Sequence, residues 1–300
     1  MKNSNSINVD KYHEPVMVSE VIESLHLNNK SKHFNKFSKI IDATLGTGGH
    51  TQALVDAGGQ VLGIEMDPKM LSVAKERLGS KATLVKGNFS EIEEIAKSND
   101  FSKVDGVLLD LGVSNIHLKQ DDRGFSFSNK DQVLDMRLDS EKQGVTASDL
   151  VNALDATQLT NLFAVVMSFN SSRKLAKKIV NNRPIKTVGD LVEISAEFKK
   201  NETLHPATLP MLALRIAVNS ELENLKKVLP KAYNLLSEGG KLLVITFHSG
   251  EVDILKKYCR SANLQSDLVL PGEIEVEQNP RSRSAKLWII TKNKKDLKKK

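Results

Sequence analysis

The sequence predicts an α/β protein: a mostly parallel sheet with helices on both faces, interrupted by a small helical domain. Three observations predict it. Strand and helix signals alternate through residues 39–112. Between about 146 and 198 the signals are helical, with no strand among them. A buried-strand pattern then returns at 241–247, just after Gly239-Gly240.

The elements follow in order. KIIDATLG (39–46) reads as a buried strand, and a helix is expected from about His50 to Ala57. QVLGIEMD (60–67) is a second strand. PKMLSVAKERL (68–78) places Pro68 in a helical first turn and apolar residues at helical spacing. ATLVKGNF (82–89) is a third strand, SEIEEIAK (90–97) a short helix begun by Ser90, and VDGVLLDLG (104–112) a fourth strand. Residues 113–139, rich in Asp, Ser, Asn and Gly, suit a functional loop. TASDLVNAL, TQLTNLFAVVM, SSRKLAKKIV and TVGDLVEISAEF make up the helical block. Residues 205–236 read as one or two long helices interrupted by Pro230. A Gly-Gly turn leads into the fifth strand, 241–247, and EIEVEQNPRSRSAKLWIITK suggests two more strands around a turn at Asn279-Pro280.

The chain has 300 residues, 40% of them apolar, enough for a sizeable core. No apolar run approaches the ~20 residues of a membrane span, and the polar N-terminus lacks a signal-peptide core, so no membrane association is expected. Cys259 is the only cysteine, which excludes an internal disulfide and suits a reducing, cytoplasmic setting. The seven His and one Cys show no zinc-like spacing, so no metal is expected. The net charge of +6 is uneven: residues 281–300 carry nine Lys or Arg against Asp296, and the rest of the chain sums to −2. Charge alone leaves two readings of that end, a solvated tail or a phosphate-attracting surface.

The stretch DATLGTGGH (42–50) is a glycine-rich turn at a strand's carboxyl end, where doubly wound sheets bind ligands. Glu65 ends the next strand, nineteen positions after Gly46, and suits a carboxylate accepting both ribose hydroxyls. Thr51 stands where a dinucleotide fingerprint wants a small residue, and no Lys-Ser/Thr follows the glycines, which excludes a Walker loop. Asn88-Phe89 and Asp110 end strands three and four. An adenine could pack on Phe89 with its edge read by Asn88 or backbone groups; Phe89 could equally be core. Together these ends fit S-adenosylmethionine.

HEPVMVSEV (13–21), DATLGTGGH, VDGVLLDLGVS (104–114), RGFSF (123–127), LDMRLD (134–139), HPAT (205–208), ALRIAVNSELE (213–223), GGKLLVITFHS (239–249) and NPRSRSAKL (279–287) occur in that order. The set resembles the ribosomal RNA small-subunit methyltransferase H family over nearly the whole chain. The resemblance implies a Rossmann-like class I methyltransferase fold and S-adenosylmethionine as cofactor. It also implies N4-methylation of a cytidine in the decoding region of 16S ribosomal RNA. It places the cofactor against Gly48, Gly49, His50, Glu65, Phe89, Asp110 and His117, the last standing where the family usually has Gln. The family's Tyr-Gly-Glu-Glu is replaced by VMSF (166–169), FHSLED reads FHSGEVD, and the Gly-Pro before LDMR is Gln132-Val133. The expected division is a methyltransferase domain over 1–139 and 205–292, a helical substrate-recognition insertion over 140–204, and a basic tail, 293–300.

The residues also bear on the reaction. Methylation at C5 of cytosine needs a Cys nucleophile, and Cys259, within the helix-like KKYCRS, reads instead as a small buried hydrophobe. Transfer to an amine needs proton acceptors near strand four. Asp110 and Ser114 are the nearest, and Ser114 is the candidate catalytic residue. Arg123, Asp135, Arg137, His248, Arg281 and Arg283 are candidates for contact with an unpaired or extruded base and its phosphates. A local salt-bridged loop is the competing reading for Asp135, Arg137 and Asp139. The expected partner is small-subunit ribosomal RNA or a ribosomal particle. The competitors are a methyltransferase on another RNA or DNA amine, an NAD-dependent oxidoreductase, and a non-catalytic RNA-binding assembly factor.

Overall fold

The computed structural model describes residues 15–27, 38–119, 122–198 and 204–293. In chain order these form α1 (Val18–Ser24), β1 (Lys39–Asp42), α2 (Gly49–Asp56), β2 (Gln60–Glu65), α3 (Pro68–Leu78), β3 (Thr83–Lys86), α4 (Ile92–Ser98), β4 (Val104–Asp110) and α5 (Asn115–Lys119). There follow α6 (Ala147–Ala153), α7 (Ala156–Ala164), α8 (Phe169–Asn181), α9 (Val188–Ser195), α10 (Thr208–Val218) and α11 (Glu221–Leu235). The chain closes with β5 (Leu236–Thr246), α12 (Ser249–Ala262), β6 (Asp267–Val269), α13 (Glu273–Gln278) and β7 (Lys286–Thr291).

The seven strands form one sheet in the order β3-β2-β1-β4-β5-β7-β6. β1 to β5 run parallel, and β7 is antiparallel to both neighbours. This is the Rossmann-like, mostly parallel fold expected. Ile40 and Ile41 point to opposite faces of β1 and both are fully buried, so the sheet is covered on both sides. Ile40 joins Val21, Leu25, Leu54, Val61, Leu108, Ile245 and Leu287 in one core, while Leu71, Ala74 and Leu78 of α3 pack with Leu45 in another.

The chain divides into two compact units. One comprises residues 1–114, 226–247 and 255–300; the other comprises 115–225 and 248–254, and among the described residues every strand lies in the first while the second is helical. The helical unit therefore reaches past the expected boundaries of 140 and 204. Its reason lies in α10, which packs on α6 and α7, and in Asn219. Asn219 is buried; its amide donates to the Met136 and Arg215 carbonyls, and its oxygen accepts from Leu138 N–H and the Gln143 amide. Those bonds bind the 136–143 loop to the end of α10. Capping boxes start α6, α7 and α9, at Thr146 with Asp149, Asp155 with Gln158, and Thr187 with Asp190.

Three expectations change. Pro230 lies inside α11 without ending it, and the long helical stretch breaks instead at Asn219-Ser220, where Ser220 takes φ +51°. β5 begins at Leu236: Gly239 N–H donates to the Lys292 carbonyl and Lys292 N–H to the Gly240 carbonyl, so the two glycines are held beside the end of β7 rather than forming a free turn. EIEVEQ is helix α13, not a strand. Its alternation mimics a strand, but Ile274 is 71% exposed and finds no face to bury, and acidic Glu273 and Glu275 suit a helical first turn. β7 pairs instead with β5 and β6.

Candidate active site

Strand order reverses between β1 and β4, and the crevice beyond the carboxyl ends at such a reversal is where these sheets receive ligands. The glycine turn leaves β1 there and is tied on both sides. Gly46 N–H donates to Oε2 of Glu65 at 2.8 Å, and Asp67 N–H to Oε1 at 2.7 Å. Opposite, Asp110 N–H donates to the Thr44 hydroxyl at 2.6 Å. A carboxylate offers about four lone-pair sites, so both Glu65 oxygens retain acceptor capacity. Burial pushes the Glu65 carboxyl up to about 7, against the pull of the Asp67 and Gly46 N–H groups.

Asp42 lies beneath the turn with no exposure. It accepts the Thr51 hydroxyl at 2.7 Å and Thr44 N–H at 3.3 Å, yet burial still raises its carboxyl above the ordinary value. This is why Thr51 stands where a dinucleotide turn wants a small residue. Its hydroxyl partners a buried acid, a role that only the tertiary structure reveals.

The three glycines differ. A Cβ on Gly48, at φ +81°, would stand 2.7 Å from Leu78 Cδ1, and one on Gly49 would stand 2.9 Å from Pro15 Cγ. Those close approaches are to protein. Gly46, at φ +54°, has only the Thr44 carbonyl at 4.0 Å on that side, so its open face is the one a ligand can approach. Spacing did not single Gly46 out as a contact; the tie to Glu65 does.

His50 is buried, with Nε2 2.8 Å from the Val16 carbonyl. A carbonyl only accepts, so Nε2 carries the hydrogen. Nδ1 faces Asp110 Oδ2 at 3.6 Å. Phe89 is half-buried at the start of a 3-10 turn, leaving ring surface available. Asn88 caps that turn through Ser90 N–H, and its amide rests on Met66 sulfur at 3.7 Å, so its side chain is engaged locally. Ser114 is half-buried and points its hydroxyl at Met70 sulfur, 3.3 Å away. Arg281 and Arg283 sit on the turn Pro280–Ser284; Arg283 is exposed, and burial lowers the Arg281 guanidinium below its usual value.

The remaining candidates belong to the helical unit. His117 is buried, its ring tilted against Phe125. Arg123 donates to the Arg137 and Leu138 carbonyls at 2.9 Å, which knits RGFSF to LDMRLD. Arg137 binds Asp135 through two bonds, 2.7 and 2.8 Å, and also donates to the Gln143 carbonyl. Hydrogen bonding to Arg137 outweighs burial and holds Asp135 below the usual carboxylate range. The salt-bridged loop is thus present between Asp135 and Arg137, and beside it Asp139 N–H donates to the Gln143 side-chain oxygen at 2.7 Å while Asp139 Oδ1 accepts from Glu141 N–H at 3.3 Å. His248 and the buried Glu251 pair at 3.1 Å at the start of α12. Nearby in sequence pattern but not foreseen, Arg215 grips Glu221 through two bonds of 2.8 and 2.9 Å.

The pattern of one family, the MraW methylase family, matches residues 10–269. The chain belongs to the MraW methylase family. The match runs through the glycine turn, Glu65, Asp110 and the whole helical unit, and ends before NPRSRSAKL. Relatives named ribosomal RNA small subunit methyltransferase H accompany it. The one from Methylacidiphilum infernorum is 41% identical over 93% of this chain and 94% of its own. That from Thermotoga neapolitana is 39% identical over 92% and 94%. That from Dictyoglomus thermophilum is 37% identical over 94% and 97%. Among the described residues of this MraW chain, no helix is long and apolar enough to cross a membrane, and no cluster of His, Cys, Asp or Glu could hold a metal ion.

Proposed function

We propose that this MraW-family chain uses S-adenosylmethionine to methylate N4 of a cytidine in the decoding region of small-subunit ribosomal RNA. The observation that carries the reading is the acidic strand end. Glu65, tied to the open-faced Gly46, offers a carboxylate to a ribose at the reversal point of the sheet. Phe89 supplies an aromatic face for adenine, and Asp110, held by Thr44 and facing His50, supplies a fixed carboxylate at the end of β4. These residues fit the cofactor. When bound, S-adenosylmethionine supplies an electrophilic methyl group on sulfonium sulfur.

What the chain adds is position. An exocyclic amine must present its lone pair in line with the methyl group and lose a proton as the new N–C bond forms. Asp110 and Ser114 are the acceptors at the strand-four end, and Ser114 orients the amine. Alignment alone supplies several kcal/mol of such a barrier, about 7–11 in favourable cases. Attack by a ring carbon would need a thiolate. Cys259 is buried in α12, and burial raises its thiol above the ordinary value, so it stays protonated and inert. Arg281 and Arg283 take phosphates of the RNA.

The test is product identity. Purified protein is incubated with labelled cofactor and small ribosomal subunits, and the digested nucleosides are separated by mass spectrometry. Label in N4-methylcytidine, retained in Cys259→Ser, is the expected result. Label in 5-methylcytidine, or activity lost in a folded Cys259→Ser, overturns the mechanism. Cofactor and RNA binding without any labelled nucleoside turns the reading to a non-catalytic assembly factor.

A further inference from the structure

We propose that the outer face of α8, in the helical unit, is a docking surface for single-stranded RNA. On this face Arg173, Lys174 and Lys177 take phosphates and Phe169 stacks on a base. The proposal rests on the RNA-methyltransferase reading and adds a contact surface to it.

The helix is FNSSRKLAKKIVN, and it contains no acidic residue. Its buried face is Ser172, Leu175, Ala176 and Ile179. At about 100° per residue the opposite side carries Asn170, Arg173, Lys174, Lys177 and Asn181, all exposed, while Phe169, also exposed, opens the helix at the edge of that side. That side is three cations and two amides, with one exposed aromatic ring at its edge. Lys178, turned toward the boundary of the faces, pairs with Glu197 at 2.6 Å. Among the described residues none of the other three cations makes an ion pair.

A merely solvated face intersperses both signs, as α12 does with exposed Asp253 beside Lys256 and Lys257. Nor does solvation account for Phe169, which is 58% exposed at the same end of the stripe. An unpaired cationic row beside an exposed ring matches a polyanion whose bases also offer flat faces. Arg173 to Lys177 spans one helical turn, about 6 Å, close to the spacing of successive phosphates on a single strand. A membrane surface would ask for an apolar stripe along the helix, and here the apolar stripe is the buried one.

Two variants test the surface in the full chain: Arg173→Gln/Lys174→Gln/Lys177→Gln together, and Phe169→Ala. The probe is a fluorescent single-stranded fragment of small-subunit ribosomal RNA, titrated by anisotropy at several salt concentrations. S-adenosylmethionine binding is measured alongside as the check on folding and on the crevice. The triple variant should lose RNA affinity at low salt, and the slope of log affinity against log salt should shrink by about 2, at roughly 0.7 per phosphate contact. Phe169→Ala should weaken binding about tenfold and leave the slope unchanged. Cofactor affinity should not change in either. A parent that binds RNA with a slope the triple variant reproduces overturns this surface and leaves the proposed function standing. A parent that binds no RNA at any salt overturns both. A triple variant that loses ribosomal particles yet keeps naked RNA assigns the face to a ribosomal protein and overturns the proposal.

Discussion

Binding of an adenosine ligand should strengthen as pH rises from about 5.5 to about 8, with Glu65 carrying the change. Burial holds the free carboxyl near 7 instead of 4.5. Ribose hydroxyls donate hydrogen bonds, so they favour the charged form. A return to 4.5 in the complex spans 2.5 units, about 3.4 kcal/mol at 1.36 per unit. Near pH 5.5 about 3% of free Glu65 is ionised and near pH 8 about 90%, so affinity should rise roughly 30-fold. Binding should release about 0.9 proton near pH 6 and about 0.1 near pH 8. The probe is 5′-methylthioadenosine, which lacks the titrating amino-acid end, measured by calorimetry in two buffers of different protonation enthalpy. Glu65→Gln should bind more weakly and without this slope. Constant affinity in the parent, or a Gln variant that keeps the slope, refutes the ribose role. The same group affects folding with a definite sign. Folded Glu65 holds its proton more tightly than unfolded Glu65, so its contribution to stability is fullest below about 4.5. That contribution is lost by about pH 7, on the order of 3 kcal/mol.

Further outcomes follow from the packing. Gly48→Ala should destabilise by about 1–3 kcal/mol in urea unfolding, and combined with Leu78→Ala, which removes the atom it strikes, it should cost less than the sum of the two single changes. Gly46→Ala, which meets no such atom, should cost folding only about 1 kcal/mol of strain but weaken adenosine binding far more. Thr51→Val should lower stability by about 1–3 kcal/mol, since buried Asp42 loses its hydroxyl donor. Asn219→Ala should accelerate amide exchange at Leu138, whose N–H loses its acceptor, and cost at least about 2 kcal/mol.

Much of the fold was legible because its signals are local. Strands β1 to β4 are apolar runs between turn residues, and TASDLVNAL and TVGDLVEISAEF carry helical signals that α6 and α9 fulfil. What was not legible depends on partners distant in sequence. EIEVEQ alternates like a strand, and only the lack of a neighbour for Ile274 makes it a helix. Pro230 reads as a break, whereas the real break comes at Asn219, three of whose four side-chain bonds reach residues some eighty positions away. In the helical unit, Arg123 and Arg137 look from charge like phosphate binders. Their guanidiniums are committed to carbonyls and to Asp135, a competition that composition cannot weigh.

The glycine turn separates the two uses of a residue without a side chain. Resemblance points to Gly48, Gly49 and His50, and each has a protein partner: Leu78, Pro15 and the Val16 carbonyl with Asp110. Those contacts seat the 15–17 segment and α3 against α2, and so hold the turn in shape. Gly46 stands apart, with a left-handed φ, an open side and an N–H committed to Glu65. A structural turn needs the first set and has no use for an open Gly46 face beside a carboxylate whose ionisation burial opposes. A nucleoside site needs both. The half-buried carboxyl is costly to charge in the empty protein, and a ribose donating to it, as proposed, would recover that cost. On the proposed ribose role, the protonation of Glu65 would report whether the crevice is filled.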